Sequence, residues 1–204
     1  MNNITDQLLQ NITKIKARFD ADPDAFLATT LALRQSDFVL VGQIVQLYCF
    51  ADLNARRIID TLRHAAFGPE ARIASRLRDA EVFPKLREIV AELWDSHLKE
   101  GIIKAADIIE MHRRLRHTFS HWAARRIANE EALLLFTKNA REAERRDGGA
   151  QNSEELKYAI IPLASFPEEV RKLEEHGKYL AETAAHLEHY FDELRQRFAE
   201  RENK

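Results

Sequence analysis

Along most of the chain apolar residues recur at intervals of three and four, the period of a helix buried along one side. Ile4, Leu8, Ile12, Ile15 and Phe19 open the series and predict a first helix that stops at the turn Asp20 to Asp24, with a second, short helix after Pro23. Ser36-Asp37 then caps a long helix carrying Phe38, Val41, Ile44, Val45, Tyr48, Ile58, Ile59 and Leu62, which ends at the Gly68-Pro69 breaker. After a short turn of helix, Phe83, Leu86, Ile89, Val90, Leu93 and Trp94 mark another, closed by Glu100-Gly101. The helix that follows carries Ile108, Met111, Leu115, Phe119 and Trp122 at 3-4-4-3 spacing, a stripe expected to face the core.

Between Glu131 and Phe166 the period changes. Ala132 to Lys138 and Lys157 to Ala164 are short apolar runs without a 3.6-residue stripe, separated by a polar stretch containing glycine. They predict a two-stranded, hairpin-like appendage with a mobile tip, leaning on the helical body because two strands alone are marginal, with Pro162 at a sheet edge. Ser165 to Glu168 reads as a capping box with proline near the first helical position. In the long helix beyond it, Leu173, Leu180, Leu187 and Leu194 recur every seven residues, and Val170, Gly177, Ala184, Phe191 and Phe198 form a second series. The expected fold is mainly α: a single domain over residues 1–204, with N-terminal helices in 1–35, a bundle core in 36–128, the β-hairpin appendage in 131–165 and a long C-terminal helix in 166–201.

Composition narrows the function classes. The 204 residues hold 31 basic and 33 acidic side chains, a formal net charge of -2, so an anionic ligand must be met by a local patch and not by the whole surface. The single cysteine, Cys49, lies in an apolar run and cannot make an internal disulfide, which fits a packed thiol in a reducing compartment. The first residues lack the pattern of a secretory leader, and no apolar run approaches the ~18 residues of a membrane span. The expected address is the cytoplasm, with no membrane partner.

One segment departs from this balance. Met111 to Arg126 places five arginines, three histidines and no carboxylate within sixteen residues. Those guanidinium groups repel one another unless an anion or an acidic surface is brought to them. His117 and His121, at i and i+4, suggest a metal site, but two histidines with no carboxylate nearby in sequence do not make one, and the expectation is no metal and no cofactor. Anion binding needs only the arginines. Phosphodiester cleavage without metal needs both residue types: an imidazole moves the proton of a ribose 2′-hydroxyl or of the leaving oxygen, and a fixed guanidinium stabilises the charge building on phosphorus. On an ideal helix Arg116 and His121 point roughly 140° apart, so they share one small ligand only if the helix bends or a second copy supplies the missing half.

The run Arg116-His117-Thr118-Phe119-Ser120-His121 resembles the R-polar-x3-H motif of HEPN domains, a superfamily of helical bundles that includes metal-independent ribonucleases of toxin–antitoxin, phage-defence and RNA-processing systems. The resemblance covers about Asp37 to Ala128. It implies that Arg116 stabilises phosphate, that His121 is the general acid or base, and that His117 tunes or orients them. Arg113, Ser120, Arg125 and Arg126 would extend the substrate-binding groove, and Asp52 and Asn54 on the central helix would orient the motif by hydrogen bonding. Phe119 and Trp122 belong to the core. It further implies a homodimer with the two motifs facing across a cleft, an RNA substrate and possible control by an antitoxin or other protein partner. The alternative is a binding or immunity module that uses the same cluster to dock RNA or an acidic protein without cutting.

Overall fold

In a computed structural model, which describes residues 2–93, 95–147 and 156–202, the chain is mainly helical with a small antiparallel sheet. The helices are α1 (Asn2–Ala21), α2 (Pro23–Ala28), α3 (Gln35–Phe67), α4 (Asp79–Val90), α5 (Ser96–Met111), α6 (Arg113–His121), α7 (Ala140–Asp147) and α8 (Phe166–Glu202). The strands are β1 (Ala123–Arg126), β2 (Ala132–Thr137) and β3 (Lys157–Pro162). They form two compact units, each built from segments distant in sequence: residues 1–43 with 115–169, and residues 44–114 with 170–204.

The first unit is organised by its sheet, in the order β1-β2-β3. β2 is the central strand, with Leu133, Leu134 and Leu135 fully buried, so both of its faces are covered. That is why its sequence is a continuous apolar run and does not alternate. On one face Ala132, Leu134 and Ile160 join Ile15, Phe19, Phe26 and Ile127 in a core that also takes in Phe136 and Tyr158. The Phe19 ring packs edge-on to Phe26 at 5.5 Å, and the Tyr158 hydroxyl donates to Asp20 Oδ1 at 2.6 Å. Burial and that carboxylate push the Tyr158 phenol up to about 12. The expected hairpin thus has a third strand. Ala123–Arg126, expected to continue the motif helix, pairs with β2 through Arg125↔Leu134 and, at Arg126, with Leu31 through two backbone hydrogen bonds of 2.8 and 2.9 Å. Its Ala-Ala-Arg-Arg sequence has no strand pattern; pairing with β2 overrides local preference. Pro162 lies on the edge strand β3, where its missing N–H costs no ladder bond. Of the polar stretch expected to form a mobile tip, residues 141–147 belong to helix α7 instead, and residues 148–155 lie outside the described residues.

The second unit is helical. Ile44, Tyr48, Ala51, Ala55, Ile58 and Ile59 give α3 a fully buried face, matched by Val82, Phe83, Leu86 and Val90 of α4 and by Leu173, Leu180 and Ala184 of α8. The heptad leucines of α8 are therefore buried through Leu187, whereas Phe198 is exposed. Helix α3 stops where the sequence predicts, at Gly68, whose φ of 87° continues no helix. Its polar face holds the next turn: Asp60 Oδ1 accepts from Ile73 N and Ala74 N at 2.9 Å each. Glu100-Gly101 does not close a helix. Asp95 caps α5 by accepting from Leu98 N at 3.0 Å, and α5 runs on through Gly101, where any β-carbon would collide with the Tyr179 ring of α8. Gly101 is thus a packing residue and not a stop. Trp94 lies outside the described residues.

One further expectation needs correction. Cys49 is exposed, because it lies about 100° around α3 from buried Tyr48. Among the described residues α3 is also the one helix long and apolar enough to cross a membrane, with an 18-residue stretch of mean hydropathy 1.4 interrupted by polar residues. Its face from Ile44 to Ile59 is buried in the core of the second unit, and length and apolarity alone do not make it a span.

Candidate functional site

The motif does not lie on one long helix. Helix α5 ends at Met111, His112 turns inward with Nδ1 2.8 Å from Ile108 O, and α6 restarts at Arg113 for nine residues. The break resets the phase of the apolar stripe. Met111, expected in the core, is exposed, while Thr118 and Trp122 are buried one turn apart. Phe119 is half-buried against Phe166, with ring centroids 5.7 Å apart. Between Arg116 and His121 the helix is unbroken.

Within the first unit, α6 presents His117 half-buried and His121 exposed on successive turns, their rings 4.5 Å apart and tilted by 39°. A carboxylate meets them from a distant part of the sequence. His117 Nε2 lies 2.9 Å from Glu142 Oε2, and both side chains are only 13% exposed. Three steps of local chemistry put Glu142 there. Thr137, the last residue of β2, accepts from Asn139 N at 3.0 Å through its hydroxyl, which turns the chain. The Asn139 amide oxygen accepts from Arg141 N at 3.1 Å and Glu142 N at 3.4 Å, an N-cap for α7. Glu142 is then the third residue of that helix, one turn beyond the sheet.

Burial lowers the His117 imidazole below its ordinary value, helped by the positive fields of His121 and Arg116 and opposed by Glu142. A neutral ring is therefore favoured near neutral pH, with one nitrogen as donor and the other as proton acceptor or ligand. One ligand atom each from His117, His121 and Glu142 lies within 4.8 Å of the other two. This is the donor set that the sequence reading found incomplete for lack of a nearby carboxylate. The missing acid was legible as a helix start, in Asn139 followed three residues later by Glu142, but not as a partner of α6.

The other expected site residues are distributed differently. Arg116 is half-buried and Ser120 exposed beside the two histidines on α6. Arg113 belongs to the helical unit, where with Arg114, Asp107, Glu110 and Met111 it lines a shallow hollow; Arg87 pairs with Asp107 at 3.0 Å and with Glu110. Arg125 and Arg126 are both engaged within the first unit. Arg125 donates to Thr30 Oγ1 and Thr30 O at 3.2 Å each, and Arg126 is buried, with Nη1 2.6 Å from Asp37 Oδ1 and Nη2 2.6 Å from Glu131 Oε2. The cause is β1: once these two residues pair as a strand, their side chains are committed to the sheet and to the start of α3. Asp52 and Asn54 likewise serve their own helix. Asp52 pairs with Arg56 at 2.7 Å, while Asn54 donates to Phe50 O and accepts from Arg57, each at 2.8 Å.

No protein-family model matches the chain, and neither a curated protein nor a solved structure matches it.

Proposed function

We propose that the α6 cluster handles RNA phosphodiesters, as a HEPN-like endoribonuclease that needs no metal for the chemistry. The observation that carries the reading is the juxtaposition of two imidazoles 4.5 Å apart, one against a carboxylate, with an arginine on the same short helix. His121, exposed, is the group that reaches a 2′-hydroxyl or a leaving oxygen. His117 is the positioning residue, braced by Glu142 and stacked on His121. Arg116 stabilises charge on the phosphorane oxygens. The 2′-hydroxyl attacks the adjacent phosphorus, its proton passes to an imidazole, the bond to the 5′-oxygen breaks and that oxygen takes a proton. The products carry a 2′,3′-cyclic phosphate and a 5′-hydroxyl, and DNA, which lacks the nucleophile, survives.

The unbroken course of α6 supports a homodimeric site. Arg116 and His121 cannot converge by a bend between them, so Arg116 of one chain and His121 of another would bracket a single phosphate. A toxin or defence role held in check by a protein partner is the biological setting that the HEPN resemblance suggests. The burial of Arg126 leaves a smaller basic surface than the sequence implied, which suits a short site on RNA better than a long groove.

The test is incubation of the purified chain with mixed RNA in the presence of a strong chelator. Cleavage is expected, with His121→Ala slowing it by ~10²–10⁴-fold and Arg116→Lys rescuing Arg116→Ala poorly, because an ammonium lacks the planar fork. If wild type and variants leave RNA equally intact while Arg116→Ala loses affinity for RNA or for an acidic protein, the cluster docks without cutting.

A further inference from the structure

We propose that His117, His121 and Glu142 form a binding site for one divalent transition-metal ion of the zinc class, with a fourth coordination position open to solvent on the His121 side. All three ligands come from the first unit of one chain, and one donor atom from each lies within 4.8 Å of the others. Tetrahedral zinc with bonds near 2.0–2.1 Å spaces its ligands about 3.4 Å apart. His117 Nε2 and Glu142 Oε2, now 2.9 Å apart, need only open slightly, while the His121 ring closes by a small rotation of an exposed side chain. Two histidines at i and i+4 with a carboxylate from another element are a donor set that zinc, cobalt and nickel accept, whereas magnesium and calcium ask for more oxygen ligands.

The surroundings favour occupancy. His117 Nε2 and Glu142 Oε2 are both shielded from water, so their desolvation is already complete before an ion arrives. Without an ion an Nε2–H tautomer satisfies the pair. To receive the cation the neutral ring switches to its Nδ1–H tautomer, releasing the Nε2 proton to solvent and taking one up at Nδ1, so that Nε2 ligates with no net change of protonation and Glu142 stays ionised throughout. Glu142 supplies one negative charge against the two of the cation, and Arg116 adds another positive charge on the same helix. The open position therefore takes water or an anion.

One consequence rests on the RNA reading above: an ion that holds a ring nitrogen of His121 removes the proton carrier, so zinc silences cleavage and a chelator restores it. The metal site itself stands without that reading, and its test uses no activity. The chelator-stripped full chain is titrated with Co²⁺ and followed by visible absorption. One equivalent is expected to produce the intense bands of a tetrahedral ion, and Zn²⁺ is expected to bleach them and raise the melting temperature. His121→Ala and Glu142→Gln should each weaken Co²⁺ binding roughly a hundredfold or more, since even outer-shell changes cost 10–100-fold. Far-UV circular dichroism on the same samples checks folding, and the exposed His121 is the variant that decides if changes at Glu142 unfold α7. Absence of bands and of a thermal shift in wild type overturns the proposal, as do bands of unchanged strength in folded His121→Ala. Co²⁺ binding by a chain that never cuts RNA leaves the metal site standing and removes the ribonuclease; chelator-resistant cutting without Co²⁺ binding does the reverse.

Discussion

At the scale of single residues, the charge most committed to the fold is Arg126. Its guanidinium is buried between Asp37, itself 1% exposed, and the exposed Glu131. Removing one partner of a buried pair leaves the other charge desolvated, which costs far more than the pair contributes net. Arg126→Met or Asp37→Asn should lower the unfolding free energy in urea by about 3–5 kcal/mol, and the double replacement of Arg126 and Asp37 by apolar residues should recover part of that loss. Glu131→Gln should cost about 1 kcal/mol or less, because its carboxylate keeps most of its water. A second residue ties stability to pH. Burial lowers the His176 imidazole, and the other charges that face it are Glu175 and Arg171 on α8, Lys104 on α5 and His112 just beyond its end. As pH falls below about 6.5 the unfolded chain takes up this proton before the folded chain does, so stability declines until the lowered folded value is passed. His176→Gln should flatten the wild-type dependence of the urea midpoint between neutral pH and about 5.5; an unchanged slope would assign it to other groups.

At the scale of elements, the position of Glu142 depends on how α7 begins. Asn139→Ala removes the acceptor of the Arg141 and Glu142 N–H groups and should loosen an eight-residue helix by about 1 kcal/mol. Hydrogen exchange in α7 should speed up while the amides of β2 keep their protection, and Co²⁺ affinity should fall with no ligand touched. Equal acceleration in β2 would mean that the sheet depends on the cap. The same element marks where sequence reasoning stops. Helix α3 was legible to within a residue or two because an apolar face, a polar start and Gly68 all agree. The strands β2 and β3 were legible as a loss of helical period. β1 was not, since Ala-Ala-Arg-Arg carries no signal except the open edge of β2, and reading it as helix left the burial of Arg126 unseen. Helix α6 was legible as a helix, but the break at His112 was hidden in a run with neither glycine nor proline, and so Met111 was assigned to a core it does not enter. Of the cluster, His117 and His121 could be named from their i, i+4 spacing, and Arg116 from the resemblance to the HEPN motif. Glu142 lies 21 residues beyond His121, and only the pairing of β1 with β2 folds α7 back onto α6.

At the scale of the whole molecule, what separates the proposed chemistries is how many chains each requires. The three metal ligands belong to one chain, so ion binding should follow protein concentration with no threshold. The proposed phosphodiester cleavage would draw on Arg116 and His121, which an unbroken helix holds roughly 140° apart, and so would require two copies arranged about a two-fold axis. Mixing inactive variants tests this directly. When Arg116→Ala and His121→Ala chains are co-refolded in equal amounts, about half of the dimers are mixed, and in each mixed dimer one of the two composite sites pairs an intact Arg116 with an intact His121. About a quarter of wild-type cleavage should therefore return, although neither variant cuts alone. If the two residues acted within one chain, every site in the mixture would lack one of them and nothing would return. Sedimentation at micromolar concentration should show the dimer in parallel, and a monomer that still cuts would move the site back into a single chain.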